Sequence, residues 1–312
     1  MGLTDASLRE EIKRLKKEKN ALIMAHYYQR EEIQEIADFI GDSLALAREA
    51  AKTDADIIVM CGVHFMGETA KILCPDKKVL VPDMEAGCSL ADSCNPDEFE
   101  KFVKSHPDHT VVSYVNTSAA VKALTDIVVT SGNAKKIIES LPADEKIIFG
   151  PDKNLGGYIN SVCGREMLLW PGACHVHDRF SLEKIVEMKK EHPGAKILVH
   201  PECRRPLQLI ADKIGSTAAL LDFARHDEGQ EYIVVTESGI LFEMRKACPE
   251  KTFLAAPAED SECQCNECDY MKLNTLAKVA KALRDESPEI IVDAEIAAKA
   301  LRPIERMLEL SK

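Results

Sequence analysis

The octapeptide IADFIGDS at residues 36–43 returns, with three substitutions, as IADKIGST at residues 210–217. The spacing is 174 residues, and the same spacing, with no gap, places His26 on His200. Two matching octamers, each ten residues after a histidine, point to one unit copied along the chain. Copying turns single polar residues into sets, and sets can build a site.

Working outward, each copy opens on an apolar, β-rich run: NALIMAHYYQ at 20–29, TVVSYVNTSA at 110–119 and AKILVHPEC at 195–203. Such short, continuously apolar runs suit strands buried on both faces. A helical stretch follows each, then a second strand (ADIIVMCG, DIVVTSGN, EYIVVTESG), another helix and a third strand (KKVLVPDME, EKIIFGPDK, TFLAAPAED). The pattern predicts three similar α/β/α domains with parallel sheets. The expected boundaries are 1–87 with 270–312 for the first domain, 88–174 for the second and 175–269 for the third. Residues 3–19 and 271–284 read as amphipathic helices, and two further helical pieces are expected on either side of Pro303. These terminal helices are expected to pack together on the first domain.

Composition excludes several functions. Lys+Arg is 40 against Asp+Glu 52, a net charge of −12 without a long basic patch, so neither nucleic acid nor an anionic membrane is an expected partner. The first twenty residues hold no apolar signal core, and no apolar run reaches transmembrane length, so a cytoplasmic enzyme is expected. Eleven cysteines are many for such a chain, and in a reducing compartment they raise the prospect of a metal or redox role.

In parallel sheets, ligands sit at the carboxyl ends of strands. Strand one ends in His26, Tyr27 and Tyr28 in copy one, in Tyr114 and Asn116 in copy two, and in His200 and Glu202 in copy three. Strand two ends in Ser131 in copy two and in Thr236 and Glu237 in copy three. Exposed strand ends are polar anyway, but a triplet of His, Tyr, Asn and Glu positions favours one pocket shared by the three domains. Gly41-Asp42-Ser43 and Gly215-Ser216-Thr217 precede helices, where hydroxyls and free N–H groups either cap the helix or hold an anion; Ser131 and Asn133 in TSGNA offer a third such place.

Cysteine follows the third strand of every copy: Cys88 and Cys94, then Cys163 and Cys174, then Cys263, Cys265 and Cys268. One thiolate per domain would converge on a pseudo-threefold axis. Three dispersed cysteines suit a 4Fe-4S cluster with one iron open to act as a Lewis acid. His175 and His177 follow Cys174 closely enough to lie beside such a centre or contact substrate. A zinc-dependent aldolase or hydrolase, or an iron–sulfur electron carrier or redox sensor, would use the same cysteines.

The motifs AHYYQ, GDSL, AGCSLAD, YVNTSA, TSGNA, GPDKNLGGYI, WPGACHVH, HPEC, GSTA and ECDYMKLN, in that order from Ala25 to Asn274, resemble the quinolinate synthase family. The resemblance implies three α/β/α domains about a pseudo-threefold axis and an oxygen-sensitive 4Fe-4S cluster held by Cys88, Cys174 and Cys268. It implies condensation of iminoaspartate with dihydroxyacetone phosphate, with an L-aspartate oxidase or dehydrogenase as the supplier of iminoaspartate. By motif match, Tyr28, Tyr114, His200 and Glu202 are the catalytic candidates. His26, Ser43, Asn116, Ser131, His177 and Thr217 are the substrate-binding ones. The chain departs from the family in CxCxxC at 263–268, where many members carry CxxCxxC with a proposed regulatory disulfide, and in Tyr27, where Asn is common. A disulfide between Cys263 and Cys265 would close a strained ring and is not expected.

Overall fold

Three aspartates, each fifteen residues after the strand residue they hold, set the register of the fold. The Asp38 N–H donates to the Ile23 carbonyl at 2.8 Å and its carboxylate accepts from the Ile23 N–H at 2.9 Å. Asp126 repeats both bonds on Val111 at 2.9 and 2.8 Å, and Asp212 on Ile197 at 2.9 and 2.7 Å. A carboxylate that accepts from a strand N–H while its own backbone pairs with the same residue pins the returning chain to the sheet edge.

The structure, a computed structural model, describes residues 4–259 and 266–312. Cys263 and Cys265 lie outside the described residues. The first sheet joins β1 (Ala21–His26), β2 (Phe39–Gly41), β3 (Ile57–Cys61) and β4 (Lys78–Leu80) in the order β2-β1-β3-β4. The second joins β5 (Thr110–Tyr114), β6 (Ile127–Val129), β7 (Ile147–Gly150) and β8 (Leu168–Leu169) as β6-β5-β7-β8. The third joins β9 (Lys196–Val199), β10 (Lys213–Ile214), β11 (Glu231–Val235) and β12 (Thr252–Ala255) as β10-β9-β11-β12. All pairings within these sheets are parallel, and helices join the strands, so the fold is three similar α/β/α units.

Each sheet therefore has four strands rather than the expected three. The additional ones, β2, β8 and β10, are two or three residues long and carry too little pattern to be read as strands. The difference matters in the middle unit. DIVVTSGN forms the edge strand β6, the counterpart of β2 and β10, and is not the second strand expected from sequence. Ser131 thus corresponds to Ser43 and Thr217: each lies seventeen residues after Tyr114, His26 and His200, respectively.

Buried apolar side chains from all three units, among them Met24, Val112 and Leu198, belong to one core. The helix Asp5–Glu18, capped by the Thr4 hydroxyl, lays Leu8, Ile12 and Leu15 against Leu276, Val279 and Leu283 of the helix Leu276–Asp285 on the first unit. The last helix departs from expectation twice. It runs unbroken through Pro303, from Ala294 to Leu310, because Ala300, Pro303, Ile304 and Met307 form a buried face whose packing offsets the lost backbone hydrogen bond. It also crosses the seam between two units, touching the helix His64–Leu73 of the first as well as β6 and the helix Ala119–Lys122 of the second. Among the described residues no helix is long and apolar enough to cross a membrane.

The units are stitched by a repeated buried donor. Gln34 Nε2 donates to the carbonyls of Tyr27 (3.1 Å) and Gln29 (2.9 Å) in its own unit and of Gly239 (3.0 Å) in the third. Gln208 Nε2 donates to Pro201 (2.9 Å) and Cys203 (2.8 Å) in its own unit and Asn154 (3.5 Å) in the second. Lys122 holds the equivalent place in the second unit, donates to Thr117 O and lies 5.4 Å from the centre of the Phe65 ring of the first. The first and third units approach so closely that a Cβ on Gly239 would meet Tyr28 Cα at 2.8 Å, which is why only glycine fits there.

Candidate active site

The carboxyl ends of β1, β5 and β9 face one cavity. All thirteen site residues singled out from sequence line it: His26, Tyr28, Ser43, Cys88, Tyr114, Asn116, Ser131, Cys174, His177, His200, Glu202, Thr217 and Cys268. Cys94 is buried with Phe99 and Trp170, and Cys163 ends the helix Lys153–Cys163; neither lines the cavity. Among the described lining residues there is no Lys or Arg.

The repeat fixes two imidazoles identically. His26 Nδ1 accepts from the Tyr28 N–H at 3.2 Å, and His200 Nδ1 accepts from the Glu202 N–H at 3.3 Å. In a neutral imidazole an accepting Nδ1 leaves the hydrogen on Nε2. Burial drives both rings down to a pKa of about 3; the Glu202 charge opposes the shift in each, and His177 adds to it. Both are neutral donors near pH 7.

A chain of hydrogen bonds joins the units behind the cavity surface. The Tyr28 hydroxyl lies 2.7 Å from Thr217 Oγ1 and 2.7 Å from Thr236 Oγ1. Thr236 Oγ1 is 2.9 Å from His177 Nε2, and His177 Nδ1 is 3.1 Å from Glu202 Oε2. Tyr114 donates to Glu202 Oε1 at 2.5 Å. Burial would raise the Glu202 carboxyl, but His177, His200 and the hydrogen bonds it accepts hold it below the ordinary range, so it is an anion. The two phenols are pushed well above their usual value, chiefly by burial. Asn116 Oδ1 is buried with no hydrogen-bond partner among the described residues and is free for a ligand.

Two buried carboxyls place the thiols. Asp152 caps the helix Lys153–Cys163 through Leu155 N–H at 2.7 Å and accepts from the Cys174 N–H at 3.1 Å. Glu237 accepts from the Cys268 N–H at 3.1 Å and from the Gly239 N–H at 2.7 Å, with Lys272 Nζ at 2.8 Å. These two residues, and Thr236, sit at or near strand ends. The sequence exposed Thr236 and Glu237 as polar strand ends without a role and left Asp152 unremarked, because a carboxyl that binds backbone leaves no spacing signature.

Each thiol follows the last strand of one sheet: Cys88 comes after β4, Cys174 after β8 and Cys268 after β12. Burial pushes Cys88 up to about 12, Cys268 up to about 11 and Cys174 well above its usual value, and the thiols of Cys88 with Cys268, and of Cys174 with Cys88, reinforce this as neighbouring like charges. Three thiols that resist ionisation together, in a cavity without a described lysine or arginine, are a donor set whose thiolate form calls for a bound cationic centre. A tighter group, Cys174, His177 and Glu202, has ligand atoms within 4.8 Å of one another and could hold a single ion.

The family model described as "Quinolinate synthetase A protein" matches residues 10–309. The chain is 55% identical over 312 residues to a quinolinate synthase of Chloroherpeton thalassium, covering 100% of this chain and 97% of that protein. It is 55% identical over 300 residues to one of Microcystis aeruginosa, with 96% and 94% covered. It is 54% identical over 301 residues to one of Cyanophora paradoxa, with 96% and 91% covered. On a match that spans nearly the whole chain, this protein belongs to the quinolinate synthase family of enzymes.

Proposed function

We propose that this enzyme condenses iminoaspartate with dihydroxyacetone phosphate to quinolinate, phosphate and water, in the cytoplasm and within NAD biosynthesis. We assign a 4Fe-4S cluster to Cys88, Cys174 and Cys268. The observation that carries the reading is the meeting of three thiols, each following the last strand of one sheet, with two tautomer-fixed histidines, two tyrosines and the anionic Glu202 in a single cavity. Cys88, Cys174 and Cys268 would hold such a cluster, which would supply Lewis-acid chemistry at an iron without a protein ligand.

The chain's own groups account for the rest. Both substrates are anions, and Ser43, Ser131 and Thr217 offer hydroxyls at equivalent strand–helix junctions around the cavity. Ser43 and Thr217 are the first residues of the helices Ser43–Ala50 and Thr217–His226, where backbone N–H groups favour a carboxylate or phosphate. His26 and His200 add uncharged Nε2–H donors, and the Asn116 amide adds a further contact. Glu202 is the base, because it is held as an anion with Tyr114 donating to it, whereas the other lining carboxylates, Asp42 and Glu237, are engaged by backbone N–H groups and, for Glu237, by Lys272. Tyr114, which donates to it, and Tyr28 are phenols of raised pKa, suited to passing protons as acids rather than resting as phenolates. Holding two anions side by side against these donors supplies orientation. Iminoaspartate would come from an L-aspartate oxidase or dehydrogenase.

The Cys174, His177 and Glu202 group supports a second reading, a mononuclear zinc enzyme. It is the weaker one: ligation would break the contact between His177 and Glu202 and leave Cys88 and Cys268 without a task. Anaerobic purification decides. The cluster reading expects iron and acid-labile sulfide in equal amounts and quinolinate from the two substrates. Zinc without sulfide, or iron and sulfide without quinolinate, would refute it.

A further inference from the structure

The junction that carries Ser131 is built differently from its two counterparts. In the first and third units the residue before the junction hydroxyl caps the helix: Asp42 Oδ1 accepts from the Ala45 N–H at 3.0 Å and Ser216 Oγ from the Ala219 N–H at 3.3 Å. In the second unit the helix begins three residues later, at Ala134, and Asn133 turns back on the chain. Its Oδ1 accepts from the Thr130 N–H at 2.6 Å, and its own N–H donates to the Thr130 carbonyl at 3.2 Å. Ser131 sits inside the turn closed by these two bonds. On the turn's other side, a Cβ on Gly132 would come within 3.3 Å of Ser216 Oγ of the third unit. Ser131 lines the cavity and Asn133 does not, so the anion contact that the sequence offered at Asn133 is replaced by a support.

That support is anchored at the end of the last helix. A backbone N–H only donates, so the amide atom facing Thr130 is the oxygen, and the amide nitrogen donates to Ser311 Oγ at 2.8 Å. Ser311 Oγ gives its one hydrogen to the Met307 carbonyl at 2.5 Å and keeps a lone pair for Asn133. None of these groups titrates. The Ser311 carbonyl also accepts from Arg48 Nη2 at 2.7 Å, and Arg48 lies on the helix that Ser43 begins. Asn133 is buried, so losing the Ser311 hydroxyl leaves a buried donor unpaired. We infer that Asn133 and Ser311 are positioning residues for substrate binding: the end of the last helix holds the turn from Thr130 to Asn133, and with it the Ser131 hydroxyl, in place at the cavity. The inference rests on the proposed contact of Ser131 with an anionic group of a substrate.

Ser311→Ala removes the acceptor of the Asn133 amide and leaves the backbone carbonyl that holds Arg48; Ser311→Thr keeps the hydroxyl. Steady-state assays of anaerobically prepared enzyme should show Ser311→Ala with KM for at least one substrate raised about 3- to 10-fold, kcat within about twofold of wild type and iron content unchanged, and Ser311→Thr within about twofold of wild type in both constants. Asn133→Ala removes both bonds and should raise KM further. Hydrogen exchange gives a readout independent of turnover: peptides containing Thr130 to Asn133 should exchange about tenfold faster in Ser311→Ala and at the wild-type rate in Ser311→Thr. Unchanged exchange, faster exchange with an unchanged KM, or a threonine variant no better than alanine overturns the inference, as does a loss that only tracks lost iron or lost folded protein. If wild type makes no quinolinate, the functional proposal fails, and exchange alone decides whether Ser311 holds the turn.

Discussion

His26 and His200, 174 residues apart, are one residue used twice: each gives its Nδ1 lone pair to the N–H two positions ahead and keeps its hydrogen on Nε2. What differs is the residue that donates, Tyr28 in one unit and Glu202 in the other. The repeated backbone delivers two uncharged donors, and the inserted side chains make the surroundings unequal.

That pairing sets an acid limit on stability. Both rings have a folded pKa of about 3, below the ordinary 6.5, first because of burial. The stability gained from keeping them neutral is complete above pH 6.5 and is lost as pH falls from there toward 3. The unfolded chain takes up a proton that the folded one refuses, which costs about 1.4 kcal/mol per pH unit for each ring. Replacing His26 with Gln should remove one such contribution. Anaerobic urea denaturation at about pH 5 and about pH 6 should give a smaller difference in the variant by roughly that amount. An unchanged difference would show that His26 already titrates in the folded state.

The three thiols should be separable from the others by metal content. Alanine at Cys88, Cys174 or Cys268 is expected to lower bound iron and reduce quinolinate formation below about 1% of wild type, since an open iron requires an intact cluster. Alanine at Cys94 or Cys163, which lie off the cavity, should leave both unchanged. Full iron in Cys268→Ala, measured beside sulfide, would remove that residue from the ligand set.

Lys122 gives the opposite pH signature. It is fully buried, and burial lowers its pKa to about 8, against the pull of Glu68 and Cys88 in the other sense. The penalty for its charge is present in full below pH 8 and is relieved as pH rises from 8 toward 10.5, so stability should increase across that window by up to about 1.4 kcal/mol per pH unit. Lys122→Gln installs the residue that the other two units use at this place and should abolish the increase without loss at pH 7. Lys122→Met, which leaves Thr117 O without its donor, should cost about 1–3 kcal/mol. Equal denaturation curves for Gln and Met variants would show that the hydrogen bond contributes nothing.

Much of this was legible in the chain. Continuous apolar runs marked the central strands, and their polar endings marked the cavity wall, because parallel sheets put ligands there. The middle unit was misread for a physical reason. Edge strands of two or three residues owe their place to backbone pairing and to a clamp such as Asp126 on Val111, and neither writes a hydrophobic pattern. Asp38, Asp126 and Asp212 at constant distance from their partners would have given the register. Pro303 misled because its buried face outweighs its missing donor. The roles of Asp152, Thr236 and Glu237 depend on contacts between units, which no single stretch of sequence carries.

The absence of lysine and arginine from the described cavity wall changes how anions are selected. Charged side chains attract any anion from a distance, with a strength that dissolved salt erodes. Hydroxyls, helix-start N–H groups and neutral imidazoles act only within bonding reach and along fixed directions. For the proposed anionic substrates, such a wall would distinguish carboxylate from phosphate by shape and direction rather than by side-chain charge.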